Sequence, residues 1–323
     1  MILKVSLISI NGRLVNNLSR TKYNGTITNL RHVWSKVNGV EDLTSLSQFV
    51  VKYANYLRHL DITLSNTKDK TAEFVKLIGQ LTGLTKLSIT CTSNANIEAE
   101  LVELLSKLGP NLTSLNLCVW CGGDATIEAI GKCTALEQLT LNGRSPMRHI
   151  DFRLEKPLAP LAKCTKLKNL RLILKNHSKD LLNQFTTYLP KLETLELEGL
   201  DIDDAALANL SGQTNLAFLD LVSPLITESA LANLIGKLPA ITFLRINDLG
   251  SGGEFDTKVF MKALDAFAGE ARKRQQTPME IVFTETVKLD IESRRSMLPP
   301  NLTVSQKNSS HLVSFPGNTP RGF

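Results

Sequence analysis

Residues 189–247 read LPKLETLELEGLDIDDAALANLSGQTNLAFLDLVSPLITESALANLIGKLPAITFLRIN. One pattern, L-x-x-L-x-L, runs through them: Leu192, Leu195 and Leu197, then Leu216, Leu219 and Leu221, then Ile241, Leu244 and Ile246. The last two apolar residues of each trio flank a single outward position, as on a half-buried strand. After the first two trios come a short polar turn and an amphipathic stretch, with Ala206, Leu207 and Leu210 on one and Ala230, Leu231 and Leu234 on the other. A unit of about 25 residues cannot bury its own leucines, so the pattern makes sense only as a stack of units sharing one core.

The register extends in both directions. Equivalent first leucines fall at Leu30, Leu57, Leu84, Leu112, Leu136, Leu167, Leu192, Leu216 and Ile241, with spacings of 27, 27, 28, 24, 31, 25, 24 and 25. A first strand is expected near Leu3, and two degenerate ones at MEIVF (Ile281, Phe283) and NLTVS (Leu302, Val304), for about ten to twelve turns. Helical faces are expected between strands: Leu46, Phe49, Val50 and Tyr53; Phe74, Val75, Leu77 and Ile78; Leu101, Leu104, Leu105 and Leu108. Two more follow, at Leu181, Leu182, Phe185 and Leu189, and at Val259, Phe260, Ala263, Leu264 and Phe267. The third is expected to stop at Gly109-Pro110, and the last to end on Arg272-Lys273-Arg274, where the helix dipole favours cations. The 31-residue spacing carries a basic insertion, Asn142 to Pro157, with Arg144, Arg148, His149, Arg153 and Lys156.

On these residues the chain resembles the leucine-rich-repeat family, closest to its ribonuclease-inhibitor-like and cysteine-containing branches. The resemblance implies an α/β solenoid: a curved horseshoe with a parallel sheet on its concave face and helices on its convex face. The expected divisions are a degenerate turn at 1–29, regular repeats at 30–248, degenerate turns with a longer helix at 249–305, and a flexible tail at 306–323. One departure stands out. The family's pattern continues to an Asn or Cys that hydrogen-bonds the turn, and here that place holds Thr92, Trp120, Arg144, Lys175, Leu200, Pro224 and Leu249. The turns must satisfy their backbone groups some other way.

Composition narrows the function. Lys and Arg total 37 against 31 Asp and Glu, a net charge of +6 without the dense basic stripe of a nucleic-acid footprint. No apolar run is long enough for a membrane helix. Met1–Ile10 (MILKVSLISI) lacks a basic n-region and a cleavage site and alternates like a strand, so an intracellular, cytoplasmic protein is expected, with a nuclear location left open. Five cysteines, an odd number without cap spacing, fit that reading. Cys133 and Cys164 each stand three residues before a first leucine, where Leu81, Leu189 and Leu238 stand in other repeats, and read as small core residues. Cys118 and Cys121 form a lone C-x-x-C with no second pair, so no metal is expected.

Catalytic patterns fail one by one. The histidines are scattered at 32, 59, 149, 177 and 311, and no H-E-x-x-H or G-x-S-x-G occurs. Gly250, Gly252 and Gly253 lie between strand and helix, but no Gly-Lys-Ser/Thr closes the loop, and Glu254 and Asp256 would repel an anion. No enzyme activity, cofactor or catalytic residue is expected. The sequons at Asn111 and Asn301 carry no meaning without a secretory signal.

What remains is the strand face turned away from the core. Its C-terminal half carries Arg171, Glu196, Glu198, Asp220 and Arg245 beside two phenylalanines, Phe218 and Phe243, expected to be exposed. Aromatics with arginine make interface hot spots. The same charges could instead pair across the ladder, Arg171 with Glu196 and Asp220 with Arg245, as exposed ion pairs of little energetic weight. Both readings stand at this level. The function they favour is a monomeric, non-enzymatic scaffold that binds another protein on its concave face, with no nucleic acid and no membrane. Family resemblance leaves two alternatives, a ubiquitin-ligase substrate receptor and a regulator of a small GTPase.

Overall fold

The protein, seen here in a computed structural model, divides into two compact units, Met1–Leu192 and Glu193–Phe323. The structure describes residues 3–5, 27–36, 48, 52, 54–65, 71–91, 96–119, 121–143, 158–174, 189–198, 202–222, 226–247, 257–284 and 296–307. The expected helical faces at Leu46–Tyr53 and Leu181–Phe185, and the basic insertion from Arg144 to Pro157, fall outside them, apart from Gln48 and Lys52.

The first unit holds seven parallel strands, each joined to the one before it: β1 (Leu3–Val5), β2 (Ile27–Lys36), β3 (His59–Ser65), β4 (Lys86–Cys91), β5 (Ser114–Cys118), β6 (Gln138–Asn142) and β7 (Asn169–Ile173). Between them run α1 (Thr71–Ile78), α2 (Glu98–Leu108) and α3 (Asp124–Ile130). Strand residues alternate half-buried and buried, so Leu87 and Ile89, Leu115 and Leu117, and Leu139 and Leu141 form rows in the core. Helix α2 adds Leu101, Leu104, Leu105 and Leu108, four buried residues at helical spacing. It stops before Gly109-Pro110, as expected, and the chain runs on into a 3₁₀ turn, Gly109–Asn111, since proline is accepted in a first helical turn.

The second unit repeats the plan with β8 (Thr194–Glu198), β9 (Phe218–Val222), β10 (Phe243–Asn247), β11 (Met279–Thr284) and β12 (Leu302–Lys307), parallel and paired in order. Its helices are α4 (Asp204–Ala208), α5 (Glu228–Lys237) and α6 (Thr257–Lys273). Asp203 caps α4 by accepting from the Ala206 N–H at 2.9 Å, and Thr227 does the same for α5 through Ala230. The two caps are linked, because Asp204 accepts from both the N–H and the hydroxyl of Thr227. The last turn of α6 carries Arg272 and Lys273, as expected, and its cations also bond beyond the helix. Arg274 reaches back to the carbonyls of Ile241 and Leu238 in the preceding repeat, and Arg272 donates to Met297. The carbonyls at the end of α6 go instead to Asn301, whose Nδ2 lies 2.9–3.0 Å from the oxygens of Ala271, Arg274 and Thr277.

In the first repeats the register differs from expectation. Leu30 pairs with Leu60 rather than with Leu57, and Trp34 with Thr63 rather than with Asp61. Between Leu30 and Val33 the strand carries one residue more than its partner, a bulge that resets the alternation.

The turn positions from Thr92 to Leu249 that lack the family's Asn or Cys fall outside the described residues, while at the other end of the strands backbone bonds run from repeat to repeat. In several repeats the carbonyl just before the strand accepts two successive N–H groups of the next repeat: Arg58 from Thr85 (2.8 Å) and Lys86 (3.0 Å), Thr113 from Glu137 (2.8 Å) and Gln138 (3.1 Å), Ala217 from Thr242 (2.8 Å) and Phe243 (3.0 Å). Where the lead-in residue is threonine, at Thr85, Thr113 and Thr242, its hydroxyl adds a third bond to that carbonyl. These bonds tie repeat to repeat.

Candidate interaction surface

Register decides which side chains share the open face. In the second unit Glu196, Asp220 and Arg245 align directly, Thr194, Phe218 and Phe243 form the row before them, and Glu198 and Val222 the row after. Arg171 belongs to the first unit, on β7, half-buried in line with Thr140.

The Phe218 and Phe243 rings stack face to face, with centroids 4.3 Å apart and planes within 2°. They are half-buried rather than exposed, because each covers one face of the other. Parallel strands in register place identical residues about 4.8 Å apart, which is stacking distance for rings.

The Asp220–Arg245 pair forms, and it is not the exposed pair expected. Arg245 donates through Nε at 2.8 Å and through its terminal nitrogen to the same carboxylate oxygen, and only 15% of the arginine side chain and 4% of the aspartate side chain stay exposed. Burial alone would lower the Arg245 pKa. The hydrogen bond and charge of Asp220, helped by Glu196 and Glu198, outweigh it and raise the net value. The pair is enclosed, so losing one partner strands a charge, whereas losing both is often neutral.

The two cysteines of the C-x-x-C part company. Cys118 ends β5 on the open face, half-buried. Cys121 is buried and accepts from the Ile97 N–H at 3.3 Å, across to the turn before α2. This is the turn bond the family pattern assigns to its Asn or Cys, made here one place later than the position of Trp120. A slip of one residue hid it from the pattern. Burial pushes the Cys121 thiol up to about 11.

Sequence reasoning also passed over Gln213. It occupies the place of Cys133, Cys164 and Leu238, and its carbonyl accepts from the first leucine of its repeat, Leu216, at 3.1 Å like the others. Its side chain is fully buried, yet neither amide atom has a partner. Spacing alone, three residues before Leu216, could have found it.

Across both units the second and third apolar residues of L-x-x-L-x-L sit on matched, buried strand positions, with a turn bond closing onto the first. The chain has the leucine-rich-repeat fold. No protein-family model matches it, and no curated protein does. Among solved leucine-rich-repeat structures it is similar to an internalin from Listeria monocytogenes, at 14% identity and a TM-score of 0.43, over 91% of this chain and 93% of that one. It is similar to a leucine-rich-repeat protein of Leptospira interrogans, at 17% identity and TM-score 0.40, over 94% and 71%. A plant peptide hormone receptor, solved with its peptide, matches at 13% and 0.36, and this chain spans about half (52%) of it. Among the described residues no helix is long and apolar enough to cross a membrane.

Proposed function

We propose that this leucine-rich-repeat chain is a non-enzymatic scaffold that holds another protein against the open strand face of its second unit. The observation that carries the reading is the Phe218–Phe243 stack, a flat aromatic platform left half-exposed in the middle of the face. A rigid aromatic pair gives up little conformational entropy on contact, and such residues anchor interfaces. Glu196 and Glu198 beside it supply orientation and charge. Asp220 and Arg245 act as a clamp that keeps β9 and β10 in register, so their contribution to binding is through the platform. Arg171, on β7 of the first unit, is a separate candidate contact.

The test is affinity capture from the native host with the full chain and with a Phe218→Ala/Phe243→Ala variant. Losing a hot-spot aromatic costs about 2 kcal/mol or more, about thirtyfold in affinity, so partner recovery should collapse. The same variant loses the ring–ring term, worth about 0.5–1.5 kcal/mol, and its fold should survive with a modest drop in melting temperature. A control, Ser88→Ala with Asn116→Ala on the first unit, should leave capture unchanged. Equal loss in the control would place the partner elsewhere. Assaying captured material for ligase adaptors, and the chain for stimulation of GTP hydrolysis, separates scaffold from substrate receptor and GTPase regulator.

A further inference from the structure

The row of the phenylalanines runs on into a carboxylate. Thr194, Phe218, Phe243, Glu280 and Thr303 stand in line across β8 to β12, and none of them is fully buried. Glu280 is one strand spacing, about 4.8 Å, from the ring stack, with only a short threonine on its other side. Among the described residues no hydrogen bond or ion pair reaches its carboxylate. The next row offers no such opening: Val282, in line with Arg245, has 0% of its surface exposed, and Arg245 is held by Asp220. The charge of this face runs against that of the chain. The whole sequence carries +6, yet the described outward positions of β8 to β11 hold Glu196, Glu198, Asp220 and Glu280 against Arg245. Glu196 and Glu198 both help to hold the charge on Arg245, so their field reaches across the strands.

We propose that this face takes a basic segment of a partner protein, one arginine of which lies against the Phe218–Phe243 stack with its guanidinium on Glu280, while Glu196 and Glu198 draw further cations to β8. An aromatic ring attracts a cation within about 6 Å of its centre, and a carboxylate adds a charge-assisted hydrogen bond. A neutral apolar ligand would use the rings and leave the Glu280 carboxylate desolvated without a partner, at a cost. An acidic segment would meet repulsion from every carboxylate on the face. Guanidinium answers both features at once, because it is planar, weakly hydrated and forked, whereas ammonium is a compact and strongly hydrated charge. The inference rests on the reading of this face as a protein-binding surface and names the chemistry of the segment bound there.

The test titrates a fluorescent peptide of alternating arginine and glycine onto the full chain, and beside it the same peptide with citrulline in place of arginine, which keeps the shape and removes the charge. The arginine peptide should bind about tenfold more tightly than the citrulline one. Glu280→Gln should erase most of that difference, and so should Phe218→Ala/Phe243→Ala. Glu73→Gln, an equal change of charge at an exposed site on α1 of the first unit, should leave it intact. Equal affinity for the two peptides, or an equal loss from Glu73→Gln and Glu280→Gln, overturns the proposal. Affinity capture with Glu280→Gln then separates this inference from the reading beneath it. A partner lost with Phe218→Ala/Phe243→Ala but kept with Glu280→Gln overturns the arginine site and leaves the scaffold. Peptide binding that needs both arginine and Glu280, with no partner captured, upholds the arginine site and counts against the scaffold.

Discussion

At the scale of single residues, this solenoid spends stability in one identifiable place. Gln213 fills a core slot that other repeats fill with leucine or cysteine, and both of its amide atoms are buried without partners. A buried, unsatisfied polar group costs about 1–3 kcal/mol, and Leu has nearly the same volume. Gln213→Leu should therefore raise stability by about 1–3 kcal/mol. Urea unfolding would show this as a higher midpoint with an unchanged slope. No change in midpoint would mean that the amide finds partners in solution. Asn301 makes the opposite point. Its side-chain nitrogen is engaged at the end of α6, so the sequon it belongs to is closed to a glycan in the folded chain.

At the scale of elements, the repeats are held at a spacing set by their smallest residues. Gly131 follows α3, and a Cβ there would stand 2.5 Å from the Pro160 carbonyl oxygen of the next repeat. Backbone has no rotamer to retreat into, so Gly131→Ala should destabilise by about 1–3 kcal/mol, as overpacking does. Gly236, on α5, meets nothing within 4 Å, and Gly236→Ala should be neutral or slightly stabilising, since Ala suits a helix better. Thermal melts of the pair decide it; equal effects would refute close packing at Gly131. Elements are also where the reading of the sequence stopped short. Apolar periodicity located β3 to β12 and five of the six helices named here, because both periods are written in leucines. It misjudged β2, where one extra residue in a strand shifts every later pairing without changing composition. It ended α2 where the α-helix ends, but gave no sign of the 3₁₀ turn that follows, because Gly-Pro permits such a turn as readily as a stop.

At the scale of the whole molecule, the five thiols all belong to the first unit. Burial pushes Cys133 up to about 12 and Cys164 and Cys121 to about 11, each with its thiol protonated inside the fold. A folded pKa above the unfolded one gives stability that is complete below the unfolded value, about 8.5, and is lost as pH rises through the folded one. Within that window each such thiol removes about 1.4 kcal/mol of stability per pH unit. Between pH 8.5 and 11 the first unit should weaken more steeply than the second, which has no cysteine. Hydrogen exchange should show β4 to β7 losing protection ahead of β9 to β11, and Cys133→Ala with Cys164→Ala should flatten the pH slope. Parallel loss in both units, unaffected by that substitution, would rule the thiols out.

The sequence by itself determined the repeat, the parallel strand order, the alternation that puts Glu196, Asp220 and Arg245 in one row, and the absence of any known catalytic pattern. These follow from spacing, and spacing is one-dimensional information. Tertiary structure alone decided what lies over and between those residues. It stacked Phe218 on Phe243, enclosed the Asp220–Arg245 pair, turned Cys121 to the Ile97 amide, left Gln213 unpartnered and sealed Val282 from water. Each of these depends on contacts between residues about 25 or more positions apart, or on the room a neighbouring repeat leaves. A strand's own period says which way a side chain faces, and only the packed neighbours say whether water is there to meet it.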